Sequence, residues 1–201
     1  MSVASQPIPL KNRALAALLA FLLPGLGHFY QGRIGKGALY GLCILWLYAV
    51  GFALGQGYNV YWAWVNPLRD PENFRLYYLG QFWVGLPALP ALIQATLIHL
   101  GYEPLLHGFM AAPVIDSSMS VAARETLESV ANDIRGLHDR FGKLVEIGAI
   151  YTTVAGLLNI LAIYDAYEGP AHVDDEPTPT AEPASSSKDK DKDANEAEAK
   201  G

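Results

Sequence analysis

The chain has 201 residues, of which 51% are hydrophobic, and its formal net charge at pH 7 is −6. It has no basic stripe of the kind that nucleic-acid binding requires, so the sequence predicts no nucleic-acid partner. Its single cysteine, Cys43, excludes an internal disulfide and a metal cluster of thiolates.

The chain begins with a short N-terminal segment, residues 1–13, which ends in basic residues. Two apolar runs follow, at 14–30 and 38–54, and a short polar turn separates them. Runs of this length approach the thickness of a bilayer, and the turn is too short to hold a domain. The pattern therefore predicts a transmembrane helical hairpin over residues 14–56.

A glycine-rich, aromatic knuckle joins the two apolar runs. Its residues are Pro24, Gly25, Gly27, His28, Phe29, Tyr30, Gly32 and Arg33. Gly25 and Gly27 carry no side chain, so we expect the first helix to end or bend there and to pack closely against the second. The aromatic rings suit the membrane–water interface, and the arginine suits its water side. The knuckle is thus predicted to be structural.

The middle of the chain alternates between interfacial and apolar segments. Residues 57–75 are rich in tyrosine and tryptophan and then in charge, which predicts a loop at the interface. The run 76–100 contains Pro87 and Pro90, so we expect a kinked transmembrane helix. The segment 101–117 is apolar but short, which favours an interfacial or re-entrant piece.

Segment 118–144 has the apolar spacing of a heptad repeat. The seam residues are Leu127, Val130, Ile134, Leu137, Phe141 and Leu144. This spacing predicts an amphipathic helix, here called the stalk, that leads into a last transmembrane helix at 145–167. The seam continues into that helix as Gly148, Ala155 and Ala162, small residues that allow close helix packing in lipid.

Two arrangements of the stalk fit this pattern. It can continue straight from the last helix and pair with a second copy, or it can fold back and lie on the bilayer surface. The small-residue face likewise suits either self-association or packing against the chain's own helices. The tail that follows, residues 168–201, has no aromatic residue and is rich in proline, alanine and charge, so it is predicted to be disordered.

A few polar residues within the apolar runs are the chemical candidates. They are Gln94, His99, Glu146, Asn159 and Asp165, together with His28 of the knuckle. The favoured interpretation is that the amides hydrogen-bond between helices and that the ionisable groups lie near helix ends. The alternative is a proton or ion path that uses Asn159, Asp165 and His28. No catalytic, cofactor-binding or metal-ligand motif occurs, so we expect no enzyme activity, no cofactor and no metal.

The hairpin carries a recognisable motif: Pro24-Gly25-Leu26-Gly27-His28-Phe29-Tyr30-Gln31-Gly32-Arg33, followed by Gly35-Lys36-Gly37. It resembles the two-helix transmembrane ("TM-two") domain, in which a first helix ends in a Gly-x-x-x-Phe-Tyr-x-Gly knuckle and a second helix follows. With its apolar ending, the whole chain resembles an uncharacterised family of bacterial multi-pass membrane proteins. The resemblance implies a topology and a location in the inner, or cytoplasmic, membrane of a bacterium, and it implies no activity.

Together these patterns predict an all-α integral membrane protein with about four transmembrane helices and both termini on one side. The predicted function is that of a non-enzymatic structural or interaction protein, a scaffold-like helical bundle. Its expected partners are the lipid bilayer, an unidentified protein and a second copy bound through the stalk. The alternative is a small transporter or channel-like protein that uses the intramembrane polar residues.

Overall fold

The computed structural model describes residues 11–71, 73–116 and 119–169. Within these ranges the chain is helical and forms no strand, as the sequence predicts. The helices are α1 (Arg13–Leu22), α2 (Leu26–Tyr30), α3 (Ile34–Leu54), α4 (Leu76–Gln81), α5 (Leu89–His99), α6 (Val121–Phe141) and α7 (Leu144–Glu168), with 3-10 turns at Phe82–Val84 and Leu106–Gly108. The predicted disordered tail lies outside the described residues, except for its first two positions.

Two long helices, α3 and α7, form the spine of the fold. They run antiparallel, because Arg33 before α3 contacts Asp165 near the end of α7, while Gly51 and Gly148 meet at the opposite end. A Cβ added to Gly148 would lie 2.5 Å from the carbonyl oxygen of Gly51. We call the end at Arg33 and Asp165 the turn end, and the end with residues 55–71, 73–75 and 100–116 the loop end.

The first apolar run does not form the single helix that was predicted for 14–30. It forms α1 and α2, which are separated at Pro24 and folded back on each other, so that the Lys11 ammonium lies 5.2 Å from the centre of the Tyr30 ring. Proline pushes the residue before it into an extended conformation, and Gly25 has φ +86°, which favours glycine. The start of α1 and the end of α2 therefore both lie at the turn end.

The run 76–100 is also reversed rather than kinked, which corrects the prediction of one helix. The chain forms α4 and a 3-10 turn, breaks at Gly85 with φ +83°, and returns as α5. Tyr78 of α4 lies 5.5 Å from the Trp62 ring, and His99 at the end of α5 lies 6.5 Å from the Trp64 ring. Both ends of this second hairpin therefore lie at the loop end.

The first hairpin consists of α1 and α2, and the second consists of α4 and α5. They enter the bundle from opposite ends, and their turns, here called tips, meet inside it. The Leu86 N–H donates to the Leu22 carbonyl oxygen at 3.0 Å, and the Phe21 ring lies 5.4 Å from the ring of Phe82. Gly85 is at the point of contact, where a Cβ would overlap the Phe21 carbonyl oxygen. The core beside the tips is fully buried and contains Ile44, Val84, Ala88, Ala155 and Ala162.

The stalk is a separate helix, α6, and does not continue into α7 as one helix. α6 ends at Phe141, and Gly142 follows with φ +50°, a conformation that an α-helix cannot contain. The stalk and the last helix are therefore two helices that meet at this glycine. This break interrupts the heptad seam between α6 and α7.

Contacts of α6 show that it folds back across the loop end. The Tyr58 hydroxyl donates to Asp133 at 3.0 Å, and Ile134 packs against a small cluster that contains Tyr61 and Ala112. Burial and the Asp133 carboxylate raise the pKa of the Tyr58 phenol, so the hydroxyl keeps its proton at neutral pH. The seam residues Leu127, Val130 and Leu137 are thereby buried within one chain. Of the two arrangements considered for the stalk, the structure shows the one in which it folds back against the chain.

The closest backbone approach in α7 yields a test of the packing. A Cβ at Gly156 would overlap the Gly80 carbonyl oxygen, so Gly156→Ala should destabilise the protein by about 1–3 kcal/mol through overpacking. In the matched variant Gly136→Ala, the added Cβ meets no described atom within 4 Å, and alanine should stabilise α6 by up to about 1 kcal/mol. Thermal unfolding in detergent measures both, and equal shifts would contradict the close contact.

Candidate functional site

The knuckle caps the carboxyl end of α7. The Gln31 side-chain amide donates to the Ala166 carbonyl oxygen, and the Arg33 guanidinium donates to the Asp165 carbonyl oxygen at 3.0 Å. Carbonyl groups in the last turn of a helix run out of partners within that helix, and Gln31 supplies one for Ala166. The Asp165 carbonyl also accepts from the Gly169 N–H at 3.1 Å, so Arg33 adds a second donor there. The turn between α2 and α3 therefore binds the first part of the chain to α7.

The Asp165 carboxylate is the centre of a charged cluster at the turn end. Both of its oxygens accept from the Arg33 guanidinium, at 3.1 and 3.0 Å, and the Lys36 ammonium lies 3.4 Å away. The His28 ring nitrogen Nε2 lies 2.9 Å from Asp165 Oδ2. The Arg33 side chain is 6% exposed and that of Asp165 is 23% exposed, so water screens this pair only weakly.

His28 is fully buried within this cluster, and its ring lies 4.8 Å from the ring of Tyr40. Because a carboxylate only accepts hydrogen bonds, the His28 Nε2 carries the proton in the contact with Asp165. The other ring nitrogen, Nδ1, finds no hydrogen-bond partner among the described residues. The contact therefore joins α2 to α7 and fixes the orientation of the imidazole.

A second polar junction lies where the two hairpin tips meet. The Asn159 amide, fully buried in α7, donates to the Ala20 carbonyl oxygen at 3.0 Å and to the Trp83 carbonyl oxygen at 2.8 Å. Those carbonyls belong to the last turns of α1 and of the first 3-10 turn, where helical partners run out. Asn159 therefore binds both tips to α7, and its Oδ1 has no partner within the described ranges.

A third buried amide lies nearer the loop end. Gln81 of α4 donates to the Thr152 hydroxyl at 2.7 Å and to the Asn59 carbonyl oxygen at 3.2 Å. Asn59 in turn donates from its side chain to the Gly51 carbonyl oxygen at 2.8 Å. This network joins the second hairpin, the aromatic loop and both long helices. Nearly all of its hydrogen bonds end on backbone oxygen.

The other predicted polar residues lie apart from these junctions. Gln94 is buried in α5, and its side chain bonds the backbone N–H and carbonyl of Leu105. His99 is exposed beside Trp64 at the loop end. Glu146 is exposed in the first turn of α7. The structure thus brings His28 and Asp165 together, and it places Asn159 on a different network.

The predicted small residues lie at close contacts. A Cβ at Gly27 would overlap the Ala16 carbonyl oxygen, whereas a Cβ at Gly32 would meet no described atom within 4 Å. Pro24 is buried and Phe29 is exposed. The remaining small positions are buried along α7: Gly148, Ala155 and Ala162.

Sequence reasoning missed several residues on which the junctions depend, namely Gln31, Gln81, Thr152 and Gly156. Gln81 lies in an apolar run just as Gln94 does, so its polarity was an available signal. Thr152 and Gly156 follow Gly148 at spacings of four residues, which is the small-residue spacing of closely packed helices, so their positions were also an available signal.

Chemically, the arrangement is suited to holding helices together. The Asn159 amide donates to carbonyls that broken helices leave unpaired, and Arg33 links the turn to the end of α7. Among residues 11–71, 73–116 and 119–169, no group of three or more histidine, cysteine, aspartate or glutamate side chains is placed to hold a metal ion.

Comparison with known proteins assigns the family. The chain belongs to a family of unknown function, DUF6677, whose model matches residues 15–178. An uncharacterised protein of the archaeon Methanocaldococcus jannaschii is 41% identical over 55 residues, which cover 24% of this chain and 56% of that protein. The matched stretch thus spans little more than half of the curated relative. No solved structure matches the chain.

The ion-pair cluster yields a stability prediction. Asp165→Asn should destabilise the protein by about 1–3 kcal/mol or more, because it leaves the buried Arg33 guanidinium without its carboxylate. Glu146→Gln, an exposed carboxylate on the same helix, serves as the matched control and should change stability by less than about 0.5 kcal/mol. Thermal unfolding in detergent compares the two, and an unchanged transition in Asp165→Asn would rule out the structural role of the cluster.

The tip junction yields a second prediction. Asn159→Leu removes both donors and leaves the Ala20 and Trp83 carbonyls unpaired, so the loss should be about 1–3 kcal/mol for each buried group. Asn132→Leu on exposed α6 is the control, with an expected effect within about 0.5 kcal/mol. Thermal unfolding in detergent compares the two variants. Wild-type stability of Asn159→Leu would show that the tips hold without this amide.

Proposed function

We propose that the protein is embedded in a membrane, with α3 and α7 as its two spans. Among the described residues, these are the two helices that are long and apolar enough to cross a bilayer. With 21 and 25 residues, they measure about 31 and 37 Å, against a hydrocarbon core of about 30 Å. Leu42 and Trp46 of α3 are 72% and 69% exposed, which suits contact with lipid.

In this arrangement the two hairpins enter the bilayer from opposite faces and end near its middle. α1 and α5 have 10 and 11 residues, so each reaches about 15 Å, half of the hydrocarbon thickness. Irregular backbone at that depth must be buried in protein. The tip residues Val84 and Ala88 have no exposed surface. Leu86 between them is 52% exposed, but its N–H donates to the Leu22 carbonyl oxygen, so this backbone group is paired. The proposal replaces the predicted four spans with two spans and two re-entrant hairpins.

Within this membrane fold we propose a non-enzymatic structural or interaction role. The proposal rests on the hydrogen bonds that the buried side-chain amides of Asn159 and Gln81 donate to other elements of the bundle. Both donate to groups that hold the bundle together. These donors hold helices together, whereas the Asn159 Oδ1, which has no partner among the described residues, is the atom that an ion path would use. The proposed location is the cytoplasmic membrane of a bacterium, as the resemblance implies.

A transporter or channel-like role remains the second candidate, because broken helices that end at mid-depth also occur in transporters. Flux assays separate the two roles. Purified protein in liposomes should leave proton, potassium and sodium flux at the level of protein-free vesicles, for the wild type and for Asn159→Asp. Flux above that level in the wild type, abolished in the Asn159 variant, would establish transport instead.

Self-association through the stalk also stays a proposal. The seam residues Leu127, Val130 and Leu137 are buried within one chain, so a pair would have to use the exposed Phe141 and Leu144. Disulfide formation by cysteine placed at Phe141 in a Cys43→Ser background tests this pair. Dimers that disappear when Leu144 is changed to Asp would support it, and a chain that stays monomeric would exclude it.

The membrane topology yields a sharp labelling prediction. Single cysteines at Lys11, Gly35, Arg69 and Glu125, each in a Cys43→Ser background, should react with an impermeant maleimide in two pairs. Gly35 should label from the same side as Lys11, and Arg69 should label from the same side as Glu125.

The alternative with four spans predicts a different pairing. There the turn at Gly35 would lie on the side of Glu125, and Arg69 would lie on the side of Lys11. That result would overturn the re-entrant arrangement. Labelling of every site from both sides of sealed vesicles, together with release of the protein by alkaline carbonate, would overturn the membrane assignment itself.

A further inference from the structure

One partly covered cation at the loop end has no counter-charge. Arg75 lies directly before α4 and is half-buried. Its guanidinium has no hydrogen-bond or ion-pair partner among the described residues. Taking a charge out of water without a partner costs free energy, and arginines that proteins cover are normally paired. Arg75 therefore has the unmet need of a site that binds an anion.

An aromatic ring positions the Arg75 guanidinium. The guanidinium carbon lies 4.4 Å from the centre of the Tyr61 ring, which is itself 5% exposed. The ring face attracts the cation without using any of its five N–H donors. Burial lowers the pKa of Arg75 and the Tyr77 phenol raises it, and the group keeps its charge at neutral pH. A positioned guanidinium with unused donors is suited to binding phosphate through two parallel hydrogen bonds.

The depth of Arg75 in the proposed membrane arrangement matches the level of the lipid headgroups. From Arg75, the six residues of α4 and the three of the 3-10 turn descend about 15 Å to the tip of the second hairpin. With the tip near the bilayer middle, Arg75 lies at the edge of a hydrocarbon core of about 30 Å, where the headgroup region begins. The Tyr61 ring belongs to the loop end, so the guanidinium lies on the headgroup side.

An exposed apolar stripe runs from Arg75 toward the bilayer middle. Leu76, Leu79 and Trp83 are 68%, 48% and 39% exposed. They are three and four residues apart, which is the spacing of one helix face. The cation and the stripe follow each other along one element, in the same order as the phosphate and the acyl chain of a phospholipid. The acidic tail continues from α7 at the turn end, across the bilayer, so it is not available to Arg75 in this arrangement.

We propose that Arg75 binds the phosphate of a phospholipid whose acyl chain lies along Leu76, Leu79 and Trp83. A free phosphate ion offers the same anion, and the apolar stripe assigns the site to the lipid. The guanidinium donates two hydrogen bonds to phosphate oxygens while Tyr61 covers one of its faces. This inference rests on the proposed membrane arrangement, and it names a lipid ligand in the leaflet at the loop end.

Native mass spectrometry of the full chain in detergent tests the proposal directly. Dioleoyl phosphatidylglycerol is the probe, and dioleoylglycerol, with the same chains and no phosphate, is the control lipid. The phospholipid should bind about tenfold more tightly, the factor that one hydrogen bond to a charged group produces. Equal binding of the two lipids would overturn the proposal.

Variants assign the phosphate to Arg75. Arg75→Gln should weaken binding of phosphatidylglycerol about tenfold and leave binding of dioleoylglycerol unchanged. Arg69→Gln is the matched control, because it removes an equal charge from an exposed position in the same loop, where water and salt screen it, and its effect should stay below about twofold. If thermal unfolding shows that Arg75→Gln is misfolded, Arg75→Met replaces it, since methionine keeps an apolar contact with Tyr61 and carries no charge. Wild-type preference for the phospholipid in the folded variant would overturn the assignment.

A further arm distinguishes a lipid from free phosphate. Inorganic phosphate at millimolar concentration should not displace the lipid, because it lacks the chains that contact the apolar stripe. Displacement would mean that Arg75 takes soluble phosphate, which contradicts the lipid site. Failure of lipid binding leaves the cysteine-labelling pattern unaffected, so it can be told apart from failure of the membrane arrangement.

Discussion

The fold depends on one constraint, which is that backbone carbonyls freed at helix breaks must find donors inside an apolar bundle. A carbonyl that is buried without a hydrogen bond costs about 1–3 kcal/mol. Asn159 supplies donors to α1 and to the first 3-10 turn, and the Leu86 N–H supplies a donor to Leu22. At the turn end, Gln31 does the same for the Ala166 carbonyl of α7. Each break is thus paired with a donor from another element.

Close backbone packing makes these hydrogen bonds possible. Gly80 and Gly156 bring the second hairpin against α7, and Gly51 and Gly148 bring α3 against α7. With larger residues at these positions, the helices would separate, and the amide of Asn159 would no longer reach both tips. The glycines and the buried amides therefore act together. This coupling accounts for the presence of polar residues in segments that are otherwise apolar.

The sequence predicted the helical class and an end or bend of the first helix at the knuckle, but it did not predict that the chain turns back there and at Gly85. Apolar periodicity reports how far a run is buried, and it does not report whether the chain turns back at Pro24 or at Gly85. Pro90 illustrates the difficulty, because proline is tolerated in the first turn of a helix, and α5 begins one residue earlier. The reversals depend on donors from α7, a helix about 70 to 140 residues away in the sequence. Such contacts leave no local pattern.

The central claim is that the first apolar run folds back on itself, and a distance between spin labels tests it most directly. Labels on cysteines at Arg13 and Phe29, in a Cys43→Ser background and in lipid nanodiscs, report the separation of the two ends. The fold-back predicts strong dipolar broadening in the electron paramagnetic resonance spectrum, as expected for ends as close as Lys11 and Tyr30. A straight helix would separate these positions by about 24 Å. A distance distribution centred near that value would contradict the re-entrant hairpin.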